Sequence, residues 1–92
     1  MVLQISNHNN FFKIKGVLNK DTIHIFHHEF KYVFDKFNSL ILSLESLESI
    51  DRYGVNALAK LQNESLSKGK NLSIIGSGNS SLYNHFKSET AA

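Results

Sequence analysis

The sequence predicts an α/β fold, a mixed sheet of about four strands with helices packed over it, in the element order β-β-α-β-α-β-α. Three observations carry this. Two short segments near the N-terminus alternate apolar and polar residues as half-buried strands do. Residues 23–37 repeat aromatic and aliphatic side chains at helical spacing. An apolar run at residues 40–44 is followed by a second helical pattern over residues 55–66.

The first two strand candidates are Val2-Leu3-Gln4-Ile5-Ser6 and Phe11-Phe12-Lys13-Ile14-Lys15-Gly16-Val17, joined by the polar turn Asn7-His8-Asn9-Asn10. In the second, Phe12, Ile14 and Gly16 face one way and Phe11, Lys13 and Lys15 the other. The pair reads as a hairpin whose second strand has a partly solvated face.

From Asn19 or Asp21, either a competent cap, a helix is expected to run to about Phe37. Ile23, Phe26, Phe30, Val33, Phe34 and Phe37 fall within an arc of roughly 100°, the strongest helical signal in the chain. Burying each Phe contributes about 1.5–3 kcal/mol, so this stripe is expected to pack on the sheet. His24 and His28 on the same helix have the i, i+4 spacing of two imidazoles on one metal, with Asp35 on the same side. There is no H-E-x-x-H, no Cys and no clear third ligand, and Lys31 adds a cation there, so a solvated face is expected and no metal or cofactor.

Leu40-Ile41-Leu42-Ser43-Leu44 reads as a buried strand, residues 45–49 as a loop, and Ile50-Asp51-Arg52-Tyr53-Gly54 as the entry to a helix. Val55, Leu58, Leu61, Gln62, Ser65 and Leu66 share its inner arc; Tyr53, Asn56, Lys60, Asn63 and Glu64 share the outer one. Asp51 suits the N-cap and Gly69 the left-handed stop. A large aromatic at a solvent-facing helix start is not explained by fold alone.

The turn Ile50-Asp51-Arg52-Tyr53-Gly54-Val55 resembles the strand-turn-helix hallmark I-D-S-S-G-L of the STAS family, named for sulfate transporters and anti-sigma factor antagonists. Asp51 and Gly54 match, and the two serine positions are Arg52 and Tyr53. Gly16-Val17-Leu18-Asn19 is similar to the family's G-x-L-D/T turn, and the resemblance extends from Phe11 to Phe86. It implies a STAS-like fold and a non-catalytic interaction module of bacterial signalling, like an anti-anti-sigma factor. The implied partner is an anti-sigma-factor-like serine kinase, a larger signalling assembly or a transporter ATPase. The alternative is an accessory transporter subunit or a small-ligand-binding STAS domain, with Phe side chains and residues 76–81 lining the pocket.

In family members switched by phosphorylation, the second serine position is the phosphoacceptor. Phosphate there adds about −1.5 to −2 charges to the surface that meets the partner. Tyr53 occupies that position, and its phenol lies about 4–5 Å further from the backbone than a serine hydroxyl. No serine-phosphorylation switch is expected at this turn. Asp51, Arg52, Tyr53, Gly54, Asn56 and Lys60 are the expected partner-binding residues.

Lys70-Asn71-Leu72-Ser73-Ile74-Ile75-Gly76 reads as the last strand, and residues 76–81 as the turn into a short helix holding Leu82, Tyr83 and Phe86. The turn lacks the G-x-x-x-x-G-K-[ST] phosphate cradle. Residues 88–92 are expected to fray.

The 92 residues suit one domain over 1–92, burying roughly 60–65% of the unfolded surface. With no Cys, disulfides and thiolate metal sites are excluded. No apolar stretch approaches the ~20 residues of a membrane span and the N-terminus lacks signal-peptide character, so direct membrane insertion is not expected and the cytoplasm is. Net charge is only +2, with 10 Lys and Arg scattered among 8 acids, which disfavours a nucleic-acid partner. No serine or cysteine sits in a nucleophile motif, and Asp51 is more simply a cap than a catalytic acid.

Overall fold

A computed structural model describes residues 2–76. The elements are β1 (Leu3–His8), β2 (Phe11–Leu18), α1 (Ile23–Phe30), α2 (Val33–Lys36), β3 (Ser39–Ile50), α3 (Arg52–Ser67) and β4 (Asn71–Ile75). They form one sheet in the order β1-β2-β3-β4, with β1 antiparallel to β2 and both other pairings parallel. The two parallel crossovers step the same way across the sheet, so right-handed connections place α1, α2 and α3 on one face. A single apolar cluster accordingly joins Phe12, Ile14, Leu40 and Leu42 of the strands to Phe26, Phe34, Leu58 and Leu61 of the helices.

The expected hairpin is present, with β1 running on to His8 and only Asn9 and Asn10 left as the turn. Asn9 takes φ of 54°, a left-handed conformation that asparagine tolerates. At its other end Gly16 has φ of +103°, and a Cβ there would run into the backbone of Val2. Phe12, Ile14 and Gly16 are buried and Phe11, Lys13 and Lys15 exposed, the alternation read from the sequence.

Four expectations need correction. Residues 45–49 are not a loop but the second half of β3, which continues to Ile50. Two bulges explain the misreading. Lys13 pairs with Ser43 but Lys15 with Ser46, and Gly16 pairs with Leu47 but Val17 with Ser49, so β3 carries an extra residue at each step. Each extra residue stretches the inward period from two to three, which places Leu44, Leu47 and Ile50 toward the core in turn.

The long helix of residues 19–37 is two helices, broken at Lys31 and Tyr32. Tyr32 leaves helical geometry at φ −118° and ψ 23°. The apolar stripe survives because α2 re-forms with Val33 and Phe34 still buried. Neither Asn19 nor Asp21 caps α1, whose N-cap is Thr22 without a side-chain cap bond; the Asn19 side-chain oxygen instead holds the turn before the helix, accepting the N–H groups of Asp21 and Thr22 at 2.9 and 3.1 Å.

In α3 the inner arc buries Val55, Leu58, Leu61 and Ser65 together with Gly54 and Ala57. Leu66 lies outside it, 68% exposed. Gly69, with φ of +68°, follows the helix as expected. The expected final helix at Leu82, Tyr83 and Phe86, residues 77–81 of the expected turn and the tail of 88–92 lie outside the described residues, and the order among the described residues is β-β-α-α-β-α-β.

Candidate functional site

The candidate site stands at the carboxyl ends of β2 and β3, where α3 begins. In a sheet with parallel strands this edge is where connecting loops gather and where ligands are generally met. Asp51 leaves β3 in an extended conformation, φ −109° and ψ −173°, and is the N-cap of α3. One carboxylate oxygen accepts the Gly54 N–H at 3.0 Å, and the Asp51 backbone carbonyl accepts the Val55 N–H at 3.0 Å. This satisfies donors that a helix start leaves free.

The second carboxylate oxygen accepts the backbone N–H of Lys20 at 3.0 Å. Asp51 therefore clasps the β2–α1 loop to the start of α3, and its N–H donates to the Leu18 carbonyl at 3.2 Å, extending the β2–β3 ladder. The loop is itself tightly held. The Asn19 N–H donates to the Thr22 hydroxyl at 3.0 Å, and that hydroxyl donates to the Val17 carbonyl at 2.8 Å.

Gly54 completes the junction by having no side chain. A Cβ there would stand 2.6 Å from Ile50 Cγ1 and 2.7 Å from the Leu18 carbonyl oxygen. The first turn of α3 thus rests directly on the strand ends, which fixes where the outward residues point. Arg52, Tyr53, Asn56 and Lys60 are all exposed, and Tyr53, Asn56 and Lys60 follow one another at i, i+3 and i+7 on a single helix face.

Of the six residues expected at the site, four are thus surface groups and two, Asp51 and Gly54, build the turn that presents them. Sequence reading did not bring Lys20 to this place. Its N–H meets Asp51 across 31 positions, a contact that no local pattern encodes.

Among the described residues no group of three or more His, Cys, Asp or Glu could hold a metal ion. His24 and His28 are exposed on α1. No described helix is long and apolar enough to cross a membrane.

Among solved structures the chain is similar to the anti-sigma factor antagonist SpoIIAA in its unphosphorylated form, with TM-score 0.63 and 15% identity over 79% of this chain and 71% of that one. The fold is SpoIIAA-like. A second SpoIIAA-like structure, an uncharacterized protein of the DUF3478 family from Shewanella loihica PV-4, gives TM-score 0.55 at 15% identity, covering 90% of this chain and 71% of that one. The STAS-like mixed sheet expected from the D-x-x-G turn is therefore the observed fold. No family model and no curated protein matches the sequence.

Proposed function

We propose that this chain is a non-catalytic protein–protein interaction module of bacterial signalling, like an anti-anti-sigma factor, and that it docks through the start of α3 without a serine switch. The observation that carries this reading is Tyr53. A large aromatic side chain, 56% exposed, stands in the first turn of a helix whose entry is pinned by Asp51 and Gly54. Such a residue offers contact area at small cost in conformational entropy, the property that makes tyrosine frequent at interface hot spots. Arg52, Asn56 and Lys60 extend the face, and Lys20 borders it through the clasp.

The non-catalytic part of the proposal is supported by Asp51, the best-placed carboxylate, whose two oxygens are both engaged by backbone N–H groups. Serine control is disfavoured because Tyr53 fills the phosphoacceptor position and presents its hydroxyl further out than a kinase shaped for serine expects.

The test is affinity capture of partners by wild type and Tyr53→Ala from the native lysate, with intact-mass measurement of the native protein. The expected result is one partner retained by wild type, lost with the variant, and no phosphate. An identical captured set for both proteins, or stoichiometric phosphate at Tyr53, Ser46 or Ser49, contradicts the reading.

A further inference from the structure

Residues 52–63 of α3 carry two cations, Arg52 and Lys60, and no acid. Both are exposed, and among the described residues neither joins an ion pair. Arg52 is the first residue of α3, where the helix dipole favours an acid and disfavours a cation. The first turn holds no acid to offset it. The start of α1 shows the usual arrangement, with Asp21 one residue ahead of the Thr22 N-cap. Lys60 stands four residues before Glu64, yet Glu64 holds the ammonium of Lys68 at 2.9 Å instead. Acid before lysine is the order that a helix favours at i, i+4, so Lys60 is left over.

The neighbouring acids do not answer these cations. Asp51 has both carboxylate oxygens on backbone N–H groups. Asp21 adjoins Lys20 in the chain, and the two charges offset each other. Glu48 is exposed on β3 between the inward-facing Leu47 and Ile50, which points it away from the helix layer. The face that carries Tyr53 is therefore cationic at both ends, without an anion of its own. At 1.5 Å per residue Arg52 and Lys60 stand about 12 Å apart along α3, with Tyr53 and Asn56 between them.

We infer that the partner meets this face with an acidic segment, placing Asp or Glu carboxylates against Arg52 and Lys60 on either side of the Tyr53 contact. The inference rests on reading the chain as an interaction module, and it gives that partner a chemistry. It also accounts for a cation kept where the helix alone would favour an acid. Complementary charge of this kind acts mainly on the rate of encounter and the choice of partner, and salt weakens it.

One test needs the protein alone. Arg52→Glu puts an acid at the start of α3, and its Tm should exceed that of wild type by roughly 2–8 °C. An unchanged or lower Tm would show that the fold itself accommodates Arg52, which overturns the inference.

The second test uses the complex. The baits are wild type, Arg52→Glu with Lys60→Glu, and Lys13→Glu with Lys15→Glu, a control that changes net charge equally at exposed positions of β2. A thermal melt confirms that each bait is folded. Each is incubated with native lysate at about 50 and about 500 mM salt, and a carbodiimide then joins lysine amines to carboxylates in direct contact. The expected partner is retained by wild type and by the control, and is coupled through Lys60 to an Asp or Glu. Its recovery falls about tenfold or more with the Arg52 and Lys60 variant and at the higher salt.

A Tyr53-dependent partner that the double variant retains, that is indifferent to salt, or that couples only to lysines other than Lys60 overturns the inference and keeps the module. If Tyr53→Ala captures the same proteins as wild type, the module reading fails and this inference fails with it.

Discussion

The Asp51 carboxylate accepts the backbone N–H of Lys20 at 3.0 Å, joining segments 31 residues apart, while its other oxygen caps the helix that Asp51 begins. Removing the side chain loses both hydrogen bonds at once. Asp51→Ala should destabilise the fold by about 1–2 kcal/mol, the range of a lost N-cap, lowering Tm by roughly 4–8 °C per kcal/mol. Asp51→Asn keeps one oxygen acceptor and should lose about half as much. Thermal melts of the two variants decide this, and equal losses would show that one arm of the clasp carries no energy.

Gly54→Ala offers a test of sign. In an exposed helix interior, alanine gains up to about 1 kcal/mol over glycine. Here the new Cβ would stand 2.6 Å from Ile50 and 2.7 Å from the Leu18 carbonyl oxygen, closer than real Cβ contacts come. The variant should therefore be destabilised by about 1–3 kcal/mol, read as a lower denaturant midpoint.

Phe30→Ala probes the aromatic contacts beneath α1. The Phe30 ring sits 4.6 Å from Phe26 and 5.1 Å from Phe12, centroid to centroid, linking α1 to β2. Truncation should cost about 3–5 kcal/mol, and Phe30→Leu distinctly less. Denaturant unfolding measures both, and an unchanged midpoint for the alanine variant would remove Phe30 from the core.

Tyr53→Ala should behave in the opposite way. With 56% of the residue exposed, its removal should change stability by no more than about 0.5 kcal/mol while abolishing partner capture. A large drop in Tm would instead make Tyr53 a structural residue.

Much of this architecture is legible in the residues themselves. The Phe stripe from Phe26 to Phe37, the capping aspartate and Gly69 each obey a local rule, and local rules are what a sequence displays. The break at Lys31 and Tyr32 escapes because the apolar spacing carries on through it. Tyr32, Val33 and Phe34 are all weak helix formers, so packing rather than propensity decides the path. Leu66 sits at the edge of its arc, where a small rotation takes it from core to solvent. The turn at Asp51 is readable as a cap, but its second oxygen bonds Lys20, and that pairing depends on the folded chain bringing two loops together.

The bulges of β3 make its length matter more than its chemistry. Glu48 is exposed and has no partner on β2, so its side chain is dispensable. Its backbone is a spacer. Deleting it would draw Asp51 back by about 3.3 Å, one strand residue, and away from Lys20. The exposed positions Glu45, Glu48 and Ser49 should accept many substitutions, yet the segment between Leu44 and Asp51 should reject single-residue insertions and deletions, a contrast that melting Glu48→Ala beside the one-residue deletion makes visible. The count of residues from the first bulge to the clasp is a ruler the chain cannot shorten.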